Sequence, residues 1–152
     1  MKISVPFGFI WLDADNEGLT AVSFFEIIEH RTNTYTEQAA TELTEYFSGK
    51  RTSFTVPLSI HCGTIFQRKV WEALYQIPYG ETRSYLAIAQ AVDSPKAVRA
   101  IGQANSKNPM PIIIPCHRVI GKNGKLTGYL GSSEQDGLTI KKFLLQLENV
   151  SV

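Results

Sequence analysis

The chain changes character near residue 62, and no single repeating pattern accommodates both sides of that point. Residues 3–12 and 19–25 are rich in Ile, Val, Phe and Trp, and between them lies the turn-forming run Asp13-Ala14-Asp15-Asn16-Glu17-Gly18. β-Branched and aromatic residues flanking such a turn predict a β-hairpin. The spacing then predicts a helix capped by Thr36 and running to about Phe47, with Ala40, Leu43 and Phe47 on one face and Ser48-Gly49-Lys50 as its stop. Residues 53–60 are predicted to be extended. From Gly63 onward the apolar residues fall at helical spacing instead: Phe66, Val70 and Leu74 share a face with Trp71 beside them, until Pro78-Tyr79-Gly80 breaks the pattern. The expectation is a small α/β unit over residues 1–61 and a mostly helical unit over residues 62–152.

Within the second unit, Ser84 is placed to cap a short helix through Val92. Asp93-Ser94-Pro95 offers a second cap with proline at the first helical position, ahead of a helix from about Lys96 to Asn105. Two short helices joined so tightly fit a helix-turn-helix or an ordinary helical hairpin. A last helix is predicted over residues 138–148, with Leu138, Leu144, Leu145 and Leu147 as its apolar face.

Charge follows the same division. The 15 bases and 14 acids give a net charge of only +1. Residues 1–61 carry four bases against eight acids, a net of −4, whereas residues 62–152 carry eleven against six, a net of +5. Lys96, Arg99, Lys107, Arg118, Lys122 and Lys125 follow one another with no Asp or Glu between them. A local basic face attracts phosphate even on a near-neutral protein, although a solvated surface with its acids elsewhere would have the same composition. No apolar run reaches the roughly 18–20 residues of a membrane span. Two cysteines are too few for a disulfide framework, and the first residues lack a signal-peptide core, so a cytoplasmic protein is expected. No phosphate loop or dinucleotide fingerprint appears, so no cofactor is implied. His30, His61 and Cys62 lack the spacing of a metal site, so no metal is expected.

The chemistry concentrates in Asn108-Pro109-Met110-Pro111-Ile112-Ile113-Ile114-Pro115-Cys116-His117-Arg118-Val119-Ile120-Gly121. A cysteine beside a histidine has the makings of a nucleophile, because the imidazole can accept the thiol proton and favour the thiolate. This segment resembles the active-site segment of the O6-alkylguanine-DNA alkyltransferases, the methylated-DNA–protein-cysteine methyltransferases. The resemblance extends to Gly63–Trp71, to Tyr79-Gly80-Glu81-Thr82-Arg83-Ser84-Tyr85 and to Lys96-Ala97-Val98-Arg99-Ala100-Ile101-Gly102, in the family's order. It implies an α/β (α+β) architecture, with an N-terminal ribonuclease-H-like domain and a C-terminal helical domain bearing a winged-helix-like helix-turn-helix. It also implies a DNA-repair protein that rotates the damaged base out of the duplex. The alkyl group then passes irreversibly to the protein's own cysteine, once per molecule.

The same resemblance supplies roles. Cys116 would be the nucleophile, His117 its base acting through a water, and Glu148 the carboxylate that orients the imidazole. Asn108 would fix the turn before the active site, and Tyr85 would hydrogen-bond the departing guanine. Arg99 would fill the gap left by the extruded base. Ala97, Ala100 and Gly102 would let the second helix lie close in the minor groove, with Lys96 and Lys107 reaching the backbone. Tyr129, with Gly128, Leu130 and Pro111, would line the pocket. Here the chain departs from the family pattern, because Ser132–Asp136 reads as an insertion beside that pocket. The expected partner is duplex DNA carrying alkylated guanine, met by a monomer. Two other classes fit parts of the sequence: a DNA-binding regulator that does not need Cys116, and a Cys-His hydrolase, which would need an oxyanion hole and turnover.

Overall fold

The computed structural model describes residues 1–129 and 135–152, with the side chains of Gln135 and Asp136 set aside. The chain forms two compact units, Met1–Cys62 and Gly63–Val152. Among the described residues no helix is long and apolar enough to cross a membrane.

The first unit is a three-stranded antiparallel sheet, β1 (Lys2–Val5), β2 (Gly8–Ala14) and β3 (Leu19–Ser23), covered by helix α1 (Thr34–Phe47). The predicted strand over residues 3–12 is in fact two. Pro6 lacks an amide donor, and Gly8 takes a φ of 133° that other residues rarely adopt, so the chain reverses there and Val5 pairs with Gly8. The turn after β2 is held by Asp15, whose Oδ1 accepts from the amides of Glu17 and Gly18 at 2.8 and 3.0 Å. Its Oδ2 accepts from Ser59 Oγ at 2.7 Å. The Ser59 hydroxyl, followed by those amides, holds the Asp15 carboxyl at about 2.

Helix α1 begins earlier than its predicted cap. Asn33 is the N-cap and Thr36 the third residue of a capping box, each side chain bonding the other's backbone. The buried face is Ala39, Leu43 and Tyr46. Ala40 and Phe47, expected there, are half-buried, because the register is set one residue earlier. Residues 53–60 form no regular strand. They run beside β3 through Leu19 N to Pro57 O and Ser59 N to Leu19 O, both 2.8 Å.

The second unit contains α2 (Ile65–Tyr75), β4 (Arg83–Ser84), α3 (Tyr85–Ala91), α4 (Val98–Ser106), β5 (Val119–Ile120) and α5 (Gln135–Leu147). A capping box between Thr64 and Gln67 starts α2, and Val70, Trp71 and Leu74 face inward. Each fully buried aliphatic side chain contributes about 1.5–3 kcal/mol. Trp71 also donates from Nε1 to Ala104 O at 2.8 Å, tying α2 to α4. Ser84 caps α3 as predicted, but Asp93 does not cap α4. Asp93 takes φ 58° and closes α3 instead, with Ser94 N bonding Ala89 O and Asp93 N bonding Gln90 O. Helix α4 therefore starts at Val98 with no side-chain cap. β4 pairs in parallel with β5, Arg83 with Val119 and Ser84 with Ile120, so the entry to α3 lies beside the residues that follow the cysteine motif.

Gly18 is required by close approach. A Cβ built there would lie 2.6 Å from Pro57 O and 2.8 Å from Pro57 C, both backbone atoms. Gly18→Ala is therefore expected to lower stability by about 1–3 kcal/mol. Denaturant unfolding checks this: a lower midpoint at unchanged slope is the expected result.

Candidate active site

Asn108 organises the approach to the cysteine. Its Oδ1 accepts from Met110 N at 2.9 Å and its Nδ2 donates to Ile114 O at 2.8 Å, both buried. The intervening apolar residues form a tight turn, with Ile114 N donating to Met110 O at 2.8 Å and Ile112 at φ 78°. A β-branched residue in that region costs on the order of 1–2 kcal/mol. Burial of Met110, Ile112, Ile113 and Ile114 holds it in place. The turn delivers Cys116 onto a single 3-10 turn, Cys116–Arg118. Asn105, from the last turn of α4, donates to Cys116 O at 3.4 Å.

Behind the cysteine runs a buried polar chain. His117 Nε2 donates to Glu148 Oε2 at 2.7 Å. Arg118 grips the same carboxylate at both oxygens, Nε to Oε1 at 2.7 Å and Nη2 to Oε2 at 3.0 Å, while Nη1 donates to Ile77 O at 2.7 Å. Glu148 occupies the C-terminal end of α5, where Asn149 at φ 65° closes the helix through Val150 N to Leu145 O. A carboxylate there meets the negative end of the helix dipole, so its charge depends on His117 and Arg118. Burial alone would raise the Glu148 carboxyl; the hydrogen bonds and charges of His117 and Arg118 outweigh it and hold it at about 2. Burial lowers the His117 pKa from its ordinary 6.5 despite Glu148, which favours the neutral ring. With Nε2–H committed to Glu148, the free lone pair sits on Nδ1, which makes no hydrogen bond among the described residues.

Cys116 is fully buried, and burial pushes its thiol up to about 11, against opposing contributions from an Asn108 hydrogen bond and the Lys141 charge. The free protein is therefore expected to hold Cys116 as the thiol, its proton still to be taken by a base. Desolvation of the anion exceeds what a neutral ring can return.

The remaining sequence-predicted residues divide by exposure. Tyr85 opens α3, half-buried, with its hydroxyl 2.9 Å from Thr127 Oγ1, which brings it to the segment carrying Gly128 and the buried Tyr129. Pro111 is buried in the turn before Cys116. Leu130 and most of the Ser132–Asp136 stretch lie outside the described residues. Arg99, Lys96 and Lys107 are exposed, and Ala97, Ala100 and Gly102 are half-exposed on or beside α4. A Cβ at Gly102 would meet nothing within 4 Å. Of the other soft ligands, His61 Nε2 lies 2.8 Å from Ser59 Oγ and 3.2 Å from Asp15 Oδ2, and His30 Nδ1 lies 2.7 Å from Ile27 O. Among the described residues no group of three or more His, Cys, Asp or Glu could hold a metal ion.

Sequence reasoning missed three buried polar residues. Arg118 sat inside the cysteine motif, where an arginine flanked by apolar residues was the available signal. Lys141, fully buried, donates to Val119 O at 2.7 Å and Gly128 O at 2.9 Å; one residue before exposed Lys142, it carries no signal of its own. Asn105 is 5% exposed and reads in sequence as an ordinary helix end.

Removing one partner of a buried, hydrogen-bonded pair strands the other. Glu148→Gln is expected to cost about 3–5 kcal/mol of stability, read by denaturant unfolding, because Arg118 is left charged and unmatched. Both depressed pKa values carry the same sign: the unfolded chain binds the proton more readily, so acid destabilises. The wild-type unfolding midpoint is expected to fall as pH drops below 6.5 through His117. A further fall is expected from 4.5 toward about 2 through Glu148, and this second step should be smaller in Glu148→Gln, with the Asp15 carboxyl supplying part of what remains.

Comparison with known proteins identifies the family. Residues 65–150 match the family model described as 6-O-methylguanine DNA methyltransferase, DNA binding domain, and residues 2–60 match its ribonuclease-like domain. The constitutive methylated-DNA–protein-cysteine methyltransferase of Bacillus subtilis is 57% identical over 123 residues, covering 81% of this chain and 72% of that protein. The Methanosarcina acetivorans protein of the same description is 48% identical over 94% of this chain and 93% of its own length. The crystal structure of Mycobacterium tuberculosis OGT in complex with DNA superposes with a TM-score of 0.84 at 43% identity, covering 97% of this chain and 91% of that one. With both units matched in order, the chain belongs to the methylated-DNA–protein-cysteine methyltransferase family.

Proposed function

We propose that this protein repairs DNA by taking the alkyl group of an O6-alkylguanine onto Cys116 in a single irreversible transfer. The observation that carries this reading is the buried chain Arg118–Glu148–His117, ending at a bare Nδ1 on the residue that follows the buried Cys116. It is a proton acceptor fixed in one tautomer, built next to a nucleophile that is otherwise kept protonated.

The reaction follows from those groups. The Cys116 proton passes to His117 Nδ1, through a water, and the imidazolium is stabilised by the Glu148 carboxylate. The thiolate sulfur attacks the alkyl carbon; the S–C bond forms as the C–O6 bond breaks, and the electron pair leaves with the purine. Tyr85 turns from Thr127 to hydrogen-bond the base, which departs as neutral guanine once the proton held by His117 is returned through solvent. The product is a thioether, which water does not cleave, so the protein acts once. Asn108 holds the turn that aims Cys116. Tyr129, with Gly128 and Pro111, forms the pocket for the rotated base.

A base inside a duplex cannot reach a buried cysteine, so the target nucleotide is rotated out. The basic and small residues on and beside α4 support this step. Arg99 enters the stack in place of the base, Lys96 and Lys107 meet phosphates, and Ala97, Ala100 and Gly102 allow close contact in the minor groove. The protein works as a monomer on one lesion and uses no cofactor.

Incubation with a duplex containing O6-methylguanine, followed by intact mass and peptide mapping, is expected to show one added methyl on Cys116 and no more; binding without mass gain would make the chain a damage sensor or regulator. Cys116→Ala is expected to abolish transfer and keep binding. Gly102→Ala separates folding from DNA contact. It is expected to raise thermal stability, since alanine favours a helix interior over glycine by about 1 kcal/mol and its methyl meets nothing in the protein. It should nonetheless weaken duplex binding measured at fixed salt.

A further inference from the structure

We propose that Thr127 is a positioning residue for the transfer: its hydroxyl holds Tyr85 in place and donates to Tyr85 Oη once Tyr85 has turned its own proton to the purine. This rests on the function proposed above.

Thr127 Oγ1 and Tyr85 Oη lie 2.9 Å apart, and either oxygen can be the donor. Backbone structure fixes both sides of this contact. Ser84 caps α3 by accepting from Ala87 N at 3.0 Å, and it pairs with Ile120 on β5. The start of α3 therefore lies beside the turn that opens at Gly121. That turn closes through Gly121 N to Lys125 O at 2.7 Å and Lys125 N to Lys122 O at 3.4 Å. Asn123 and Gly124 take φ of 61° and 77° at its tip, the pairing that a tight two-residue turn requires. Thr127 folds back onto it, because a Cβ built on Gly121 would lie 2.7 Å from Thr127 Cγ2. A β-branched side chain is stiff at χ1. Seating its methyl on Gly121 thus fixes where its hydroxyl points, which is at Tyr85.

Each hydroxyl is both a donor and an acceptor, so the pair has two protons and one bond between its oxygens. When a base enters and Tyr85 donates to it, the Thr127 hydroxyl rotates and donates to Tyr85 Oη. No proton changes owner; the shared bond reverses direction. The chain then runs from Thr127 to Tyr85 to the purine, and each bond of such a chain polarises the next. The purine gains negative charge as the C–O6 bond breaks. Donation from Thr127 consequently strengthens toward the transition state, which is where a hydrogen bond raises the rate.

The test is a double-mutant cycle, read as the single-turnover rate of Cys116 methylation by saturating duplex with O6-methylguanine. Thr127→Val keeps the branched shape and the methyl on Gly121 and loses the hydroxyl. It is expected to transfer about fivefold more slowly than wild type, the worth of one neutral hydrogen bond. Duplex affinity at fixed salt should not change. Thr127→Ser, which keeps the hydroxyl, should keep most of the rate. In a Tyr85→Phe background, Thr127→Val should cause no further loss. Thr127 is exposed and Tyr85 half-buried; melting curves check that each variant folds, and Thr127→Ala replaces the Val variant in the cycle if Val does not. A Val variant as fast as wild type overturns the inference. So does a Val loss that persists undiminished in Tyr85→Phe, or a loss of affinity that spares the saturating rate. No methyl on wild-type Cys116 would instead refute the proposed function, and the inference with it.

Discussion

The pairing of Arg118 with Glu148 is the interaction on which the site depends. Glu148 stands at the wrong end of a helix for a carboxylate and is 1% exposed, so on its own it would take up a proton. The hydrogen bond from His117 and the two from Arg118 keep it ionised, and Arg118 anchors the assembly to Ile77 O. An ionised, immobile Glu148 then dictates that His117 carries its proton on Nε2. The tautomer, and with it the direction from which a proton can be accepted, is settled several atoms from the sulfur.

This arrangement spans elements far apart in sequence. Arg118 and His117 ride on the turn that begins at Cys116, Glu148 ends α5, and Ile77 follows α2. The Schellman closure by Asn149 and the hydrogen bond from Tyr79 Oη to Leu147 O at 3.1 Å hold the end of α5 in place. Buried ion pairs of this kind contribute little net stability against an apolar replacement. Their value here is geometric. Burial likewise keeps the Cys116 thiol protonated and away from solvent.

Much of this was legible in the sequence, and what was not has physical causes. The cysteine motif and the distal Glu148 were read through a family resemblance, and the fold class and helix order followed from periodicity. Helix starts were less legible. Thr36 and Asp93 are both good N-cap residues, but Asn33 completes a capping box that a forward scan passes over, and Asp93 takes the left-handed position that ends α3. The split of the first strand hung on Pro6 and Gly8 rather than on apolar pattern. Lys141 shows the hardest limit: lysine beside lysine on an amphipathic helix signals solvent, and only the tertiary placement of two carbonyls turns it inward. Thiol ionisation was also beyond sequence, since a neighbouring histidine says nothing about how completely the sulfur is desolvated.

The central claim is that the free protein holds His117 neutral with its proton on Nε2 and its lone pair on Nδ1. Nitrogen-15 NMR of imidazole-labelled protein at neutral pH tests it directly, with a His117→Asn variant to assign the signals. The account predicts one protonated nitrogen, Nε2, coupled to a strongly hydrogen-bonded proton, and an unprotonated Nδ1. A proton on Nδ1, or an imidazolium at neutral pH, would contradict it.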